Sequence, residues 1–387
     1  MINLNNYRKI WLSGNKKLFL PQISGDYVHS RTKNWPTFIW DSECITNILG
    51  SVRHRQGTIL GKMQTLGFRV QEETMLKALT MDVIKSSEIE GELLNSEQVR
   101  SSIARKLGIE IAGALPAERD VEGIVEMMLD ATQRYEVFLT QDRLFDWHAA
   151  LFPNGRSGMY KIKTAAWRED SMQVTSGFIG KETVHFEAPS SSKVPSEMNL
   201  FLEWIEKELL LDPVLKAGIA HLWFVTIHPF EDGNGRIARA ITDMLLARAD
   251  KSTQRFYSMS AQIQAERNKY YDILESTQKG NLDITKWLLW FLECLNRSMD
   301  QTDEIITKTI IRAQFWETHK ETVFNSRQQK ILQLLLDEFF GNLKVSKYAK
   351  IVKTSTDTAL RDLQDLVKKD VLEQEGSGRG TFYKLIP

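Results

Sequence analysis

One stretch of this chain gathers the residue types that phosphate chemistry needs. It reads His228, Pro229, Phe230, Glu231, Asp232, Gly233, Asn234, Gly235 and Arg236, with Arg239 three residues further on. An imidazole can accept a proton near neutral pH. A carboxylate is a hard oxygen donor suited to a divalent cation. Two glycines permit positive φ and let backbone N–H groups turn toward one point. Arg236 and Arg239, at i and i+3, fall in the first turn of whatever helix follows. That helix would aim the positive end of its dipole at the same point. Read as chemistry, the stretch is a cradle for a polyphosphate with a base at its edge; read as structure alone, it is a capped helical turn with a buried histidine.

Two apolar helices must hold this loop. Ile219, Leu222, Trp223 and Val225 recur at helical spacing on the way in, and Ile237, Ala240, Ile241, Met244 and Leu245 on the way out. Upstream, Ile45, Ile48, Leu49, Val52, Ile59, Met63 and Leu66 predict a long helix that Asp41 or Ser42 would cap. A second helix is expected over residues 71–90, ending near Gly91, and Asn95 with Gln98 resembles a capping box opening a third toward Leu107. Further helices follow around Val121–Met128 and Leu144–Leu151, where His148 reads as a core-edge imidazole. After Pro153-Asn154-Gly155 the period breaks. The residues around Gln173-Val174-Thr175 and Val184-His185-Phe186, either side of Gly177 and Gly180, read as a hairpin in which His185 is a polar strand-face residue. Helix then returns over 196–211, 213–227, 261–278 and 281–300.

A second segment demands a partner. In Lys85-Ser86-Ser87-Glu88-Ile89-Glu90-Gly91, Ser86 and Glu90 lie one turn apart and Glu90 falls at a helix end. A carboxylate there opposes the dipole unless a cation meets it, and Arg239 is the natural candidate. The alternative is an ordinary solvated, acidic helix end.

The stretch from His228 to Arg239 resembles the Fic family signature, His-Pro-Phe-x-Asp-Gly-Asn-Gly-Arg-x-x-Arg, at every defined position. The resemblance implies a mainly α fold: a Fic-type helical bundle with a small β-hairpin flap. It implies a protein adenylyltransferase that moves AMP from ATP to Ser, Thr or Tyr hydroxyls of a target, or of the chain itself. His228 would be the catalytic base and Asp232 the Mg²⁺ ligand. Gly233, Asn234 and Gly235 would fix phosphates, and Arg236 and Arg239 would bind the β- and γ-phosphates. Phe230 would anchor the loop. The Ser86, Glu90, Gly91 segment resembles the family's inhibitory motif, whose glutamate pairs with the second arginine and obstructs the γ-phosphate; in some relatives that glutamate positions a water that removes AMP. Tyr270 and Tyr271 resemble the adenine-side residues, with core packing as the alternative. The hairpin over residues 172–186 would be a flap that binds the target as an added strand. Gly158-Met159-Tyr160-Lys161 resembles the family's Gly-x-Tyr-Arg with lysine in place of arginine.

Composition bounds the rest. The 387 residues suffice for two or three domains, and 50 Lys+Arg balance 50 Asp+Glu, so the whole chain offers no electrostatic invitation to nucleic acid or membrane. Cys44 and Cys294 are too few for a disulfide framework. The most apolar run, residues 287–295, contains Glu293 and is too short to span a bilayer. With no apolar leader before a cleavage site, a cytoplasmic protein is expected.

The division expected is 1–115 as an N-terminal helical region with the inhibitory helix, 116–300 as the catalytic core, and 301–387 as a connector helix with a further domain. In the last, three short helices and a hairpin around Gly376-Ser377-Gly378-Arg379-Gly380 follow the order of a winged helix-turn-helix, and residues 354–363 resemble its reading helix. Charge argues against DNA. Residues 326–387 carry eleven Lys+Arg and eight Asp+Glu, and the reading helix includes Asp357, Asp362 and Asp365. Protein docking or homodimerisation is favoured there, and the competing function is a winged-helix regulator with a nucleotide-sensing domain.

Overall fold

A computed structural model describes residues 34–111, 114–176, 183–337 and 341–386. The chain forms two compact units, Met1–Thr302 and Asp303–Pro387.

The first unit opens with α1 (Ser42–Thr65), whose N-cap is Asp41: its carboxylate accepts from Glu43 N and Cys44 N. α2 (Phe68–Ile89) follows, then α3 (Ser96–Leu107), capped by Asn95, which accepts from Glu97 N and Gln98 N. The reciprocal half of that capping box is not made, because the Gln98 side-chain oxygen accepts from Glu118 N instead. α4 (Arg119–Gln133) and α5 (Gln141–Leu151) cross closely at Gly123, where an added Cβ would stand 1.8 Å from Ala150 O. β1 (Arg156–Ser157) and β2 (Tyr160–Lys161) make a minimal hairpin. β3 (Gln173–Ser176) pairs antiparallel with β4 (Thr183–Glu187), Val174 opposite Phe186, with a register shift after Val174. The expected turn at Gly177 and Gly180 lies outside the described residues.

α6 (Val194–Lys207), α7 (Pro213–Ile227) and α8 (Asn234–Asp250) build the centre. From Val214 to Ile227 every residue of α7 is buried, so it is the core helix rather than an amphipathic one. α8 packs along it, and Gly218 admits the Phe291 ring, which an added Cβ would meet at 2.9 Å. α9 (Met259–Ala265), α10 (Arg267–Gln278) and α11 (Thr285–Ser298) complete the unit. The single helix expected over 261–278 is therefore two, broken at Glu266. The division expected at residue 115 separates no compact bodies either: α1 packs on α11 and α2 on α9, and Ile39 bridges Asp283.

The second unit holds most of α12 (Asp300–Thr318), then α13 (Ser326–Asp337), α14 (Val345–Val352), α15 (Thr356–Lys368) and the antiparallel pair β5 (Leu372–Glu375) and β6 (Phe382–Leu385). Ile331, Leu332, Leu363, Leu366 and Val371 form its own core. Leu343 bridges Tyr383 beside the hairpin. Among the described residues no helix is long and apolar enough to cross a membrane.

Candidate active site

The site is the seven-residue turn between α7 and α8. His228 ends α7 in the left-handed region (φ 51°, ψ 60°), a conformation that costs a non-glycine residue about 1–2 kcal/mol. Arg168 holds it there. This buried guanidinium donates from Nε to His228 O at 2.7 Å and from Nη1 to Asp170 O at 2.7 Å, and also bonds Pro189 O, while the Arg168 backbone N–H donates to Pro229 O at 2.9 Å. Nδ1 of His228 lies 3.2 Å from Val225 O, an acceptor, so Nδ1 carries the proton and Nε2 is left as the base. Burial pulls the imidazole below its ordinary pKa, the Arg168 charge acts in the same sense, and Val225 O opposes them.

Asn234 keeps the turn closed. Its oxygen accepts from Phe230 N at 2.9 Å and its amide donates to Phe230 O at 2.8 Å. This corrects its expected role. The buried side chain is committed to the loop, and what it can offer an anion is its backbone N–H, among those of the first turn of α8 that have no intrahelical acceptor. Phe230 is fully buried against Trp167 and stacks on His148, centroids 4.2 Å apart. His148 Nδ1 accepts from Ala165 N at 3.1 Å, so its Nε2 donates to Asp232 O at 3.2 Å. Burial depresses that imidazole to about 4, which keeps this tautomer neutral.

Gly233 adopts φ +80° as the N-cap of α8, and an added Cβ would meet the Phe152 ring at 2.9 Å. The Asp232 carboxylate accepts from Gly233 N at 2.5 Å and from Ser157 Oγ. Among the described residues no three His, Cys, Asp or Glu come together as a metal cage. Magnesium beside a nucleotide asks for less, namely one carboxylate with substrate phosphates and water. Asp232, 41% exposed at the helix N-terminus, fits that demand.

Both arginines turn toward the seat, and both meet carboxylates. Arg239, 2% exposed, donates from Nε to Ser86 Oγ and from Nη2 to Ser86 O, each at 2.8 Å, and from Nη2 to Glu90 Oε1 at 2.7 Å. Its Nη1 is buried without a partner, 3.2 Å from where a Gly235 Cβ would stand. Glu90 Oε1 would lie 2.1 Å from that Cβ, so the carboxylate occupies the space above Gly235. Arg236 lies over the Phe152 ring, 5.0 Å from its centroid, and pairs with Glu92 at 2.6 Å. Gly91 takes φ +86° directly after Glu90.

The tyrosine pair divides. Tyr270 is buried, its hydroxyl 2.8 Å from His221 Nε2, which corrects the adenine-side expectation in favour of packing. Tyr271 is 37% exposed under Arg267, 5.2 Å from ring centroid to guanidinium, with its hydroxyl 3.4 Å from Ile89 O. Arg168, Ser157 and Glu92 have site contacts that the sequence reading missed. Arg168 and Ser157 sit in irregular segments without period. Glu92 carried a signal, as a second carboxylate just past the same helix end.

A helix N-terminus with two guanidiniums, a loop carboxylate and a neutral imidazole is a polyphosphate-binding centre. Residues 138–246 match the model of the Fic/DOC family, and residues 27–109 match a domain of unknown function, DUF4172. The protein is similar to the protein adenylyltransferase Fic of Culex quinquefasciatus, 26% identical over 234 residues, covering 58% of this chain and 41% of that one. It is also similar to the protein adenylyltransferase Fic of Aedes aegypti, 36% identical over 105 residues, covering 27% of this chain and 19% of that one. The chain thus spans about two-fifths or less of these two relatives. A Fic family protein from Desulfovibrio desulfuricans G20 shares the fold, with a TM-score of 0.51 at 19% identity over 95% of this chain and 98% of that one. The chain carries a Fic domain.

Proposed function

We propose that the protein is an adenylyltransferase that moves AMP from ATP to a hydroxyl of a target protein. The observation that carries this reading is the geometry of His228: Nδ1 is committed to Val225 O, leaving a basic Nε2 at the rim of a helix N-terminus that two arginines face. The incoming Ser, Thr or Tyr oxygen attacks the α-phosphorus, forming a new P–O bond. The bond from that phosphorus to the α–β bridging oxygen breaks and pyrophosphate leaves. The hydroxyl proton passes to His228 Nε2. Arg236 and Arg239 neutralise the β- and γ-phosphates, and the first-turn amides of α8 orient the chain of phosphates. Mg²⁺, held by Asp232 when bound, supplies further charge neutralisation. The β3–β4 pair offers the target a strand edge through main-chain bonds.

The resting protein is autoinhibited. Glu90 holds Arg239, with Ser86 bracing the same guanidinium, and Gly91 ends the helix that presents them. With that contact made, the γ-phosphate has lost its partner. The same carboxylate could orient a water in the reverse reaction, removal of AMP. Intact-mass analysis after incubation with ATP and Mg²⁺ tests the reading. Glu90→Gly should gain AMP adducts on itself or an added target, and Glu90→Gly with His228→Ala should gain none. Equal labelling of wild type and Glu90→Gly would remove the inhibitory role, and labelling that survives His228→Ala would remove the base.

For the second unit we favour a winged-helix module that docks a protein or a second copy. One observation keeps the regulator reading in play: Asp362 pairs with Arg327 and Asp365 with Lys369 inside the unit, so two acids of α15 are already neutralised. Mobility shift on random duplex at low salt separates the two, since tight binding would promote the regulator.

A further inference from the structure

We propose that Glu92 is a second clamp on the nucleotide seat, closing Arg236 as Glu90 closes Arg239, and that Gly91 is the hinge that delivers it. The inference rests on the transferase reading above and concerns how the same site is regulated.

The geometry begins with the end of α2. Gly91 N donates to Glu88 O and Glu92 N to Ser87 O, both at 3.0 Å, with Gly91 in the left-handed region. These two crossed bonds around a left-handed glycine are a Schellman turn. Its effect is to reverse the chain within one residue, so the side chains on both sides of the glycine reach the same cradle. Glu90 lands on Arg239 and Glu92 on Arg236, at 2.7 and 2.6 Å. An added Cβ at Gly91 would meet nothing within 4 Å, so the glycine is required there by backbone conformation and not by crowding.

The charge balance follows. Two guanidiniums face the seat and two carboxylates from a single turn answer them, so an incoming triphosphate meets a site already neutralised. The remaining donors are Arg236 Nε and Arg239 Nη1, both buried and unpartnered among the described residues. They are the atoms an anion could still reach. Glu92 is 45% exposed and Glu90 31%, which makes Glu92 the outer clamp and the first a partner molecule would touch. Glu90→Gly alone would leave Arg236 held, so release would be incomplete.

The experiment is ATP binding by the full chain with Mg²⁺, followed by calorimetry with a non-hydrolysable ATP analogue, for wild type, Glu92→Ala, Glu90→Gly and the double variant. Glu92→Ala should tighten binding about fivefold in either background, the effect of freeing one partly exposed charge pair. Gly91→Ala should act in the same direction with Glu92 retained, because it strains the turn rather than removing the carboxylate. AMP transfer should rise from Glu90→Gly to the double variant. Less than a twofold change in affinity on removing Glu92, in a Glu90→Gly protein that binds the analogue and transfers AMP, overturns the clamp and leaves the transferase standing. Failure of every variant to bind the analogue, with thermal midpoints unchanged, overturns both.

Discussion

With Nδ1 donating to Val225 O, the His228 ring keeps Nε2 bare at neutral pH, and burial extends that state below the pH at which a free histidine charges. The sign follows. Transfer needs the unprotonated ring, so activity is complete above the depressed pKa and lost as pH falls through it. In Glu90→Gly the acid limb of the rate profile should therefore lie below 6.5, the ordinary histidine value. A limb above 6.5 would mean that a different group sets it. Gly235 gives a sharper test. Its backbone is compatible with alanine, but the methyl would fall 2.1 Å from Glu90 Oε1, in the space assigned to phosphate. Added to Glu90→Gly, Gly235→Ala should reduce AMP transfer by about a hundredfold, the scale of losing one oriented contact to the reacting charge. Most of these residues were legible because spacing on one turn fixes them. Asn234 was legible in position and not in role, since nothing local says that its amide bonds Phe230 instead of facing outward. Arg168 was not legible: its contacts lie about 60 residues away in irregular chain.

At the scale of elements, the helix carrying Glu90 and Ser86 is held at its end by a third cation. Arg267 Nε donates to Ile89 O at 2.9 Å, satisfying a terminal carbonyl of α2 and opposing the negative end of its dipole. Arg267 reaches this carbonyl from α10 and touches neither signature arginine in any printed bond. Arg267→Ala should loosen the end of α2, raise basal AMP transfer of the otherwise wild-type chain several-fold, and speed amide exchange at residues 90–92. Unchanged exchange together with unchanged transfer would show that Glu90 and Glu92 hold the turn unaided. The helices themselves were legible from apolar period, and Asp41 and Asn95 cap where their types suggest. The break between α9 and α10 was not. Residues 261–278 carry an unbroken helical pattern, and the kink falls at Glu266, which is bound in fork geometry by Arg297 at 2.7 Å to each oxygen, 31 residues away. The failed division at 115 has the same cause: the faces of α1 and α2 find partners on α11 and α9, a separation no window along the chain can register.

Across the whole molecule, two cores carry two different buried charge clusters, and each should answer only for its own unit. In the larger, Asp82 of α2 accepts from Ser258 Oγ at 2.6 Å and Ser260 N at 3.2 Å. Burial, with Asp243 facing it, raises its pKa to about 7 against the pull of Arg255. Folded Asp82 thus keeps a proton that the unfolded chain releases near 3.8, so the stability it contributes falls as pH rises between those values. Asn at this position can accept the same two hydrogen bonds and never ionises. Asp82→Asn should gain on wild type by about 2 kcal/mol between pH 5 and 7 and no further above that. In the smaller unit, Asp362 accepts from Arg327 Nε at 2.7 Å, Asn325 Nδ2 at 2.9 Å and Tyr348 OH at 3.0 Å. Asp362→Ala strips all three partners at once and should cost about 2–3 kcal/mol at neutral pH. Calorimetric scans at pH 5 and 7 separate the cases. The first substitution should move one transition with pH, and the second should lower another that the first leaves alone. A single transition moved by both would mean that the two cores melt as one body, because a ligand-free unit with its own closed core has no other route by which a distant carboxylate could shift its midpoint.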